Sequence, residues 1–86
     1  MSRNRDDVSI ELRGRADRLL YSQGGRSLTI DCELLLAGSA SLVVYANSIR
    51  QWDDGTAISA DEKRQIIENV CDDLRPRWGE IEIDGN

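Results

Sequence analysis

The sequence contains no histidine, so it lacks the side chain that most often acts as a catalytic base or a zinc ligand. Nucleophilic catalysis by serine or cysteine ordinarily needs such a base. Two cysteines are present, Cys32 and Cys71, and neither belongs to a CxxC or Cys/His cluster. A zinc site would therefore need an unusual set of thiolates and carboxylates. We expect two reduced, buried thiols, with no metal and no cofactor.

The chain also lacks a hydrophobic run long enough to cross a membrane. Its most apolar stretch, LTIDCELLLAGSASLVVYA, is interrupted by Asp31 and Glu33, whereas a membrane-spanning helix needs about 20 apolar residues. The first ten residues, MSRNRDDVSI, have no apolar region of the kind found in signal peptides. These absences predict a cytoplasmic protein that has no membrane partner.

The negative charge of the chain is concentrated in its second half. Residues 1–46 hold six arginines and six acidic residues, whereas residues 47–86 hold five basic and ten acidic residues. The net charge of −5 therefore comes entirely from the second half. This asymmetry argues against nucleic acid as a partner and is compatible with a basic protein partner.

Period-two patterns predict several β-strands. In VSIELR, in SLTIDCELLL and in the terminal EIEID, apolar residues alternate with polar ones, as in strands that have one buried and one wet face. The Gly24-Gly25 pair between DRLLYS and SLTIDCELLL predicts a tight hairpin. AGSAS then reads as a connection, and LVVYA as a fourth strand.

A capping box predicts where the one helix begins. The Ser59 hydroxyl can accept a hydrogen bond from the third amide of the helix, while Glu62 reaches back to the amide of Ser59. Over residues 60–74, a spacing of 100° per residue gathers most apolar side chains on one face. Pro76 is expected to end the helix.

The 86 residues allow one domain, residues 1–86, of which we expect residues 1–6 to be flexible. The patterns predict an α+β fold in the order β-β-β-β-α-β. A mainly antiparallel sheet of about five strands is covered on one face by the helix of the C-terminal half. The order of the strands within the sheet does not follow from the patterns.

The sequence does not assemble the groups that known kinds of catalytic site require. Paired carboxylates could act as acid and base only if they faced each other across a pocket. Asp53 and Asp54 precede a glycine, but the spaced oxygen ligands of a calcium loop are missing. Gly24-Gly25 is not followed by the lysine of a phosphate-binding loop. We therefore expect a protein that is not an enzyme.

The remaining candidate for function is a surface that binds a partner. Trp52 could anchor such a surface, because tryptophan often dominates binding energy, or it could fill the end of the core. Acidic residues on the outer helix face could be merely solvated, or could merge with the acids of the preceding loop into one patch that attracts a basic partner. The candidate partner-binding residues are Trp52, Asp53, Asp54, Asp61, Glu68 and Asp72.

Four motifs occur in an order that resembles a known family. YSQGGRSLTID, LVVYANSIRQWD, ISADEKRQIIENV and GEIEID follow one another between residues 19 and 84. Their order and spacing resemble those of a family of small immunity proteins from bacterial polymorphic-toxin systems. The resemblance implies a non-catalytic protein that binds a cognate toxin and blocks its active site or substrate groove, and a basic nuclease domain would fit the acidic charge.

Two other functions stay open at this stage. The chain could be an interaction module that forms a homodimer or larger homo-oligomer through a free sheet edge. It could also be a small enzyme that uses carboxylates alone, which would require a pocket with two facing acids.

Overall fold

The computed structural model describes residues 8–14, 17–35 and 41–85. The predicted flexible residues 1–6 and most of the predicted AGSAS connection lie outside these ranges. The predicted order β-β-β-β-α-β and the α+β class are confirmed. The elements are β1 (Val8–Arg13), β2 (Arg18–Gln23), β3 (Arg26–Leu35), β4 (Ser41–Tyr45), α1 (Ala60–Trp78) and β5 (Glu80–Asp84).

The five strands form one sheet in which every strand lies beside its neighbours in sequence. The pairs β1–β2, β2–β3 and β3–β4 are antiparallel, whereas β4 and β5 are parallel. A parallel pair needs a long crossover connection, and α1 supplies it between β4 and β5. The sheet is therefore mainly antiparallel, as predicted, with one β-α-β unit at its end.

One face of the sheet packs against the helix and forms the core. Along β3, Leu28, Ile30 and Cys32 are buried, while the alternate residues between them are exposed. The same alternation occurs in β5, where Ile81 is buried between exposed glutamates. The predicted two-layer arrangement follows, because each element has only one apolar face to bury.

Helix α1 begins as predicted but ends later. The Ser59 hydroxyl accepts from the amide of Glu62 and the Glu62 carboxylate accepts from the amide of Ser59, so the predicted capping box is confirmed. The prediction that Pro76 ends the helix is wrong, because the helix continues to Trp78. A proline in the last turn removes only one helical hydrogen bond, and the continuation places Trp78 against the core. Gly79 ends the helix with φ of 82°.

The helix buries a narrower apolar stripe than the sequence suggests. Ile66, Val70 and Leu74 are fully buried, whereas Ala60, at the first helical position, is exposed. A polar residue, Asn69, shares the buried face with an exposed fraction of 8%. No helix in the described ranges is both long enough and apolar enough to cross a membrane.

Candidate functional site

The segment around Trp52 is a short loop that closes on itself. The amide of Trp52 donates to the carbonyl of Thr56 at 2.9 Å, and the amide of Gly55 donates to the carbonyl of Trp52 at 2.8 Å. Gly55 adopts φ of 92°, which glycine tolerates without steric cost. The amide of Asp53 donates to the carbonyl of Ser27 at 2.8 Å, so this loop is attached to the start of β3.

Trp52 lies in the core, with an exposed fraction of 4%. Its ring centroid is 6.3 Å from that of Tyr21, and the guanidinium carbon of Arg26 lies over the Trp52 ring, 5.3 Å from the centroid. A cation at this distance from an indole ring is attracted by the negative charge of the ring face. Of the two roles considered for Trp52, the core role agrees with its burial, and little of the ring is left for a direct contact with a partner.

The two acids that follow Trp52 are exposed. The Asp54 carboxylate accepts a hydrogen bond from the amide of Thr56 at 2.8 Å. This hydrogen bond is the main reason why the pKa of Asp54 lies below its ordinary value, and the charge of Arg26 contributes in the same direction. Asp54 is therefore a carboxylate whose charged form is favoured by its own loop.

Arg26 connects the Trp52 loop with the start of the helix. Its guanidinium Nη1 lies 3.6 Å from Oε2 of Glu62, whose other oxygen accepts the Ser59 amide in the capping box. The charge of Arg26 also contributes to the lowered pKa of Asp54, so the same cation acts on the loop carboxylate and on the first turn of α1. The sequence contains this arginine in the GGRSL hairpin motif, but gives no sign of its position between loop and helix.

Asp61, Glu68 and Asp72 form an exposed stripe on α1. Their spacings of seven and four residues place them on one face of the helix, and the stripe is about 16 Å long from Asp61 to Asp72. Asp61 is paired with Arg64 at 2.7 Å, which reduces the local negative charge.

Arg26 acts on both the loop that carries Asp53 and Asp54 and the first turn of α1, where the stripe begins. Arg26 lies 3.6 Å from Glu62, which follows Asp61 in the chain, and its charge contributes to the lowered pKa of Asp54. Glu68 and Asp72 lie two and three turns further along α1. The six candidate residues thus divide into one buried aromatic residue, Trp52, a pair of exposed loop acids, and an exposed stripe along α1.

A hydrogen-bonded chain of polar side chains, which the sequence analysis missed, lies between α1 and β2. Gln65 donates to Asn69 at 3.4 Å, Asn69 donates to the Tyr21 hydroxyl at 2.8 Å, and Tyr21 donates to Gln23 at 2.7 Å. Gln23 and Gln65, the ends of this chain, also line a pocket of about 300 Å³. The only sequence signal was a polar residue, Asn69, on the apolar face of the helix.

A second acidic surface lies on the sheet face that the helix does not cover. Glu33 on β3 and Glu82 on β5 are both in register with Val43 of the intervening β4. No salt bridge joins these acids to a described basic residue. The sequence showed that each strand had a wet face, but the strand order decides that these faces meet. The exposed acids on this surface are Asp31, Glu33, Glu80, Glu82 and Asp84.

Comparisons with curated proteins and with solved structures find no significant match. The family model described as Immunity protein 74 matches residues 11–84. The matched range runs from within β1 to the end of β5 and includes the Trp52 loop and all of α1. The resemblance to an immunity protein family is thereby confirmed, and the chain belongs to the Immunity protein 74 family.

Proposed function

We propose that this protein binds a cognate bacterial toxin and neutralises it by stoichiometric occlusion of the toxin's active site or substrate groove. The match of the Immunity protein 74 model to residues 11–84 is the observation that carries this proposal. The protein acts in this scheme as a non-catalytic inhibitor in the cytoplasm of the producing cell and its kin. A toxin domain of the polymorphic-toxin type, with a basic surface such as that of a nuclease, is the partner.

The proposed contact surface consists of the loop acids and the helix stripe. Asp53, Asp54 and Glu68 are exposed, and Asp61 and Asp72 extend the stripe along α1. Acids at the rim of an interface accelerate encounter with a basic partner, and this effect weakens as salt is added. Trp52, which directly precedes Asp53 and Asp54, attaches their loop to the hydrophobic core.

A charge-matched pair of variants tests the surface. The first replaces Asp53 and Asp54 by asparagine and Glu68 by glutamine. The control replaces Asp31→Asn, Glu33→Gln and Glu82→Gln on the open sheet face, so both variants lose three negative charges. We expect the first variant to associate with the toxin domain roughly 3- to 10-fold more slowly at low salt, with a weaker salt dependence. The control should associate at nearly the rate of the unmodified protein.

The outcomes separate the function from the surface. If the unmodified protein neither binds the toxin domain encoded beside its gene nor rescues cells that express it, the toxin-binding proposal is wrong. If it binds but both variants associate equally fast, the loop-and-stripe surface is wrong. A larger effect of the control variant would assign the contact to the open sheet face instead.

Homo-oligomerisation is a second candidate function, because β1 and β5 are the end strands of the sheet. An end strand has backbone groups on its outer side that another strand could pair with. Light scattering over a range of protein concentrations, with and without the toxin domain, distinguishes the candidates. A stable homodimer that leaves toxin activity unchanged would favour the interaction module, and a one-to-one complex with loss of toxin activity would favour the inhibitor.

A further inference from the structure

The first nine residues of α1 carry a shallow groove on one face. Five residues line it with the spacing i, i+3, i+4, i+7 and i+8, which places their side chains on the same face of a helix. The groove is about 12 Å long along the helix axis and has a volume of about 330 Å³. This helix groove consists of Ala60, Lys63, Arg64, Ile67 and Glu68.

The floor of the helix groove is apolar. Ile67 is half-buried and packs against the hydrophobic core, so part of its side chain still faces outward. Ala60 is exposed, and its short side chain leaves space above the helix surface. Lys63 and Arg64 line the groove with long side chains whose stems are apolar. An apolar side chain of a partner that filled the groove would remove this apolar surface from water.

The charge of Lys63 is not balanced within the described part of the fold. Arg64 is paired with Asp61 at 2.7 Å, whereas the ammonium group of Lys63 has no salt bridge or hydrogen bond with a described residue. No acid lies three or four positions away on the helix, where a partner would be within reach. Those positions hold Ser59, Ala60, Ile66 and Ile67. Because Lys63 is half-buried, a carboxylate placed beside it would offset the loss of water around its charge.

The helix groove adjoins the acids of the proposed contact surface. Glu68 belongs to both the groove and the stripe, and Asp61 of the stripe pairs with Arg64 in the groove. Stable interfaces usually centre on apolar side chains that fill pockets, with charges at the rim. Trp52, with an exposed fraction of 4%, does not offer such a contact, whereas the helix groove does.

We propose that the helix groove receives an apolar side chain of the toxin, and that Lys63 pairs with a toxin carboxylate next to it. This inference rests on the proposed function, since the toxin supplies the occupant. The two ends of the groove differ in charge, because Lys63 lies toward the start of α1 and Glu68 toward its middle. The toxin segment therefore carries a carboxylate on one side of its apolar side chain and a cation on the other. These opposite charges fix the direction in which the segment lies.

A matched pair of variants tests the role of Lys63. Lys63→Met and Arg75→Met each remove one positive charge from an α1 residue that has no salt bridge with a described residue. A basic toxin would be attracted slightly more strongly to both variants. We nevertheless expect Lys63→Met to weaken toxin binding roughly 3- to 10-fold, because its carboxylate partner is left unpaired. Arg75→Met should bind at least as tightly as the unmodified protein, and Lys63→Arg should retain most of the affinity. Equal affinities of the two methionine variants would overturn the inference.

The δ1 methyl group of Ile67 reports on the apolar contact directly. In a ¹H–¹³C NMR spectrum, its signal should move when the toxin domain binds, whereas that of Ile10, which is half-buried on β1, should stay in place. Ile67→Val and Ile10→Val assign the two signals. An unmoved Ile67 signal in a formed complex overturns the inference alone.

Two further outcomes separate the inference from the proposed function. If the unmodified protein does not bind the toxin domain, the proposed function is wrong and the inference falls with it. If light scattering shows self-association that Lys63→Met abolishes while toxin binding is unchanged, the helix groove receives a second copy of this chain, and the inference is overturned although the proposed function stands.

Discussion

Asn69 on α1 donates a hydrogen bond to the hydroxyl of Tyr21 on β2 at 2.8 Å, across a sequence separation of 48 residues. Both side chains are buried, with exposed fractions of 8% and 0%. A hydrogen bond between two buried groups fixes how the helix sits on the sheet, because removing either group costs the other a hydrogen bond that water cannot replace.

This hydrogen bond predicts a coupling between two substitutions. Asn69→Ala and Tyr21→Phe should each lower the free energy of unfolding, and their effects should fall short of additivity by about 1 kcal/mol in a double-mutant cycle. Urea denaturation of the three variants measures this coupling. Gln65→Ala, at the exposed end of the chain of hydrogen bonds, is the control and should have a small effect. Additive effects of Asn69→Ala and Tyr21→Phe would contradict the prediction.

The capping box predicts the effect of removing the Ser59 hydroxyl. Ser59→Ala should lower the free energy of unfolding by about 1 kcal/mol, because the Glu62 amide in the first turn of α1 loses its hydrogen-bond acceptor. The matched control is Ser9→Ala at an exposed position on β1. Urea unfolding curves that give the same midpoint for both variants would contradict a capping role for Ser59.

The two cysteines should react slowly with thiol reagents in the folded protein. Burial raises the pKa of Cys32 to about 11, with contributions from the nearby Asp17 and Asp31. Burial also raises the pKa of Cys71. Because the thiolate is the reactive form, iodoacetamide at pH 8 should modify the native protein far more slowly than the urea-unfolded protein.

Single-cysteine variants, Cys32→Ala and Cys71→Ala, show which thiol accounts for any reaction. A rapid reaction of Cys32 in the native protein would contradict its burial.

The raised pKa of Cys32 also has a consequence for stability. The folded state holds the thiol proton more tightly than the unfolded state, so the contribution of Cys32 to stability is lost as pH rises from about 9 toward 11.

Asp54 predicts a stability difference that depends on pH. Its pKa is lowered in the folded protein, chiefly by the hydrogen bond from the Thr56 amide, so its charged form stabilises the fold above the ordinary value of 3.8. This contribution is lost as pH falls through the lowered pKa.

We expect Asp54→Ala to be less stable than the unmodified protein at pH 7, with the difference narrowing in acid. Asp54→Asn is the control, since its side-chain oxygen can still accept from Thr56 but does not titrate. Thermal unfolding at several pH values measures both differences. A gap between Asp54→Ala and the unmodified protein that stays constant down to the acid range would rule out a contribution of the Asp54 charge.

Sequence patterns predicted those features that neighbouring residues decide. The alternation of Leu28, Ile30 and Cys32 with polar residues predicted the buried face of β3, because successive side chains of a strand point to opposite sides. Ser59 and Glu62 predicted the first turn of α1, since both partners of the capping box lie within that turn. The end of α1 was wrong because burial of Trp78 is a tertiary contact that the local effect of Pro76 does not reveal.

The candidate site was less predictable than the fold. The acids of the Trp52 loop and of the helix could be identified as exposed, but Arg26 and Asn69 could not be recognised as parts of the same region. Arg26 lies 36 residues from Glu62 and Asn69 lies 48 from Tyr21. Contacts between residues so far apart in the sequence depend on where α1 crosses the sheet, and the periodic patterns of the sequence do not contain that information.

The sequence by itself determined the set of elements, the face that each one buries, the start of the helix and the excess of negative charge in the second half. The tertiary structure alone decided that β4 and β5 pair in parallel, that the acids of β3 and β5 share one open face, and that the indole N–H of the buried Trp52 has no acceptor among the described residues. The physical reason is how far apart in the sequence the interacting residues lie. Periodicity and capping are set by residues within a few positions of one another, whereas strand order and the burial of Trp52 arise when the apolar faces of distant elements are buried together.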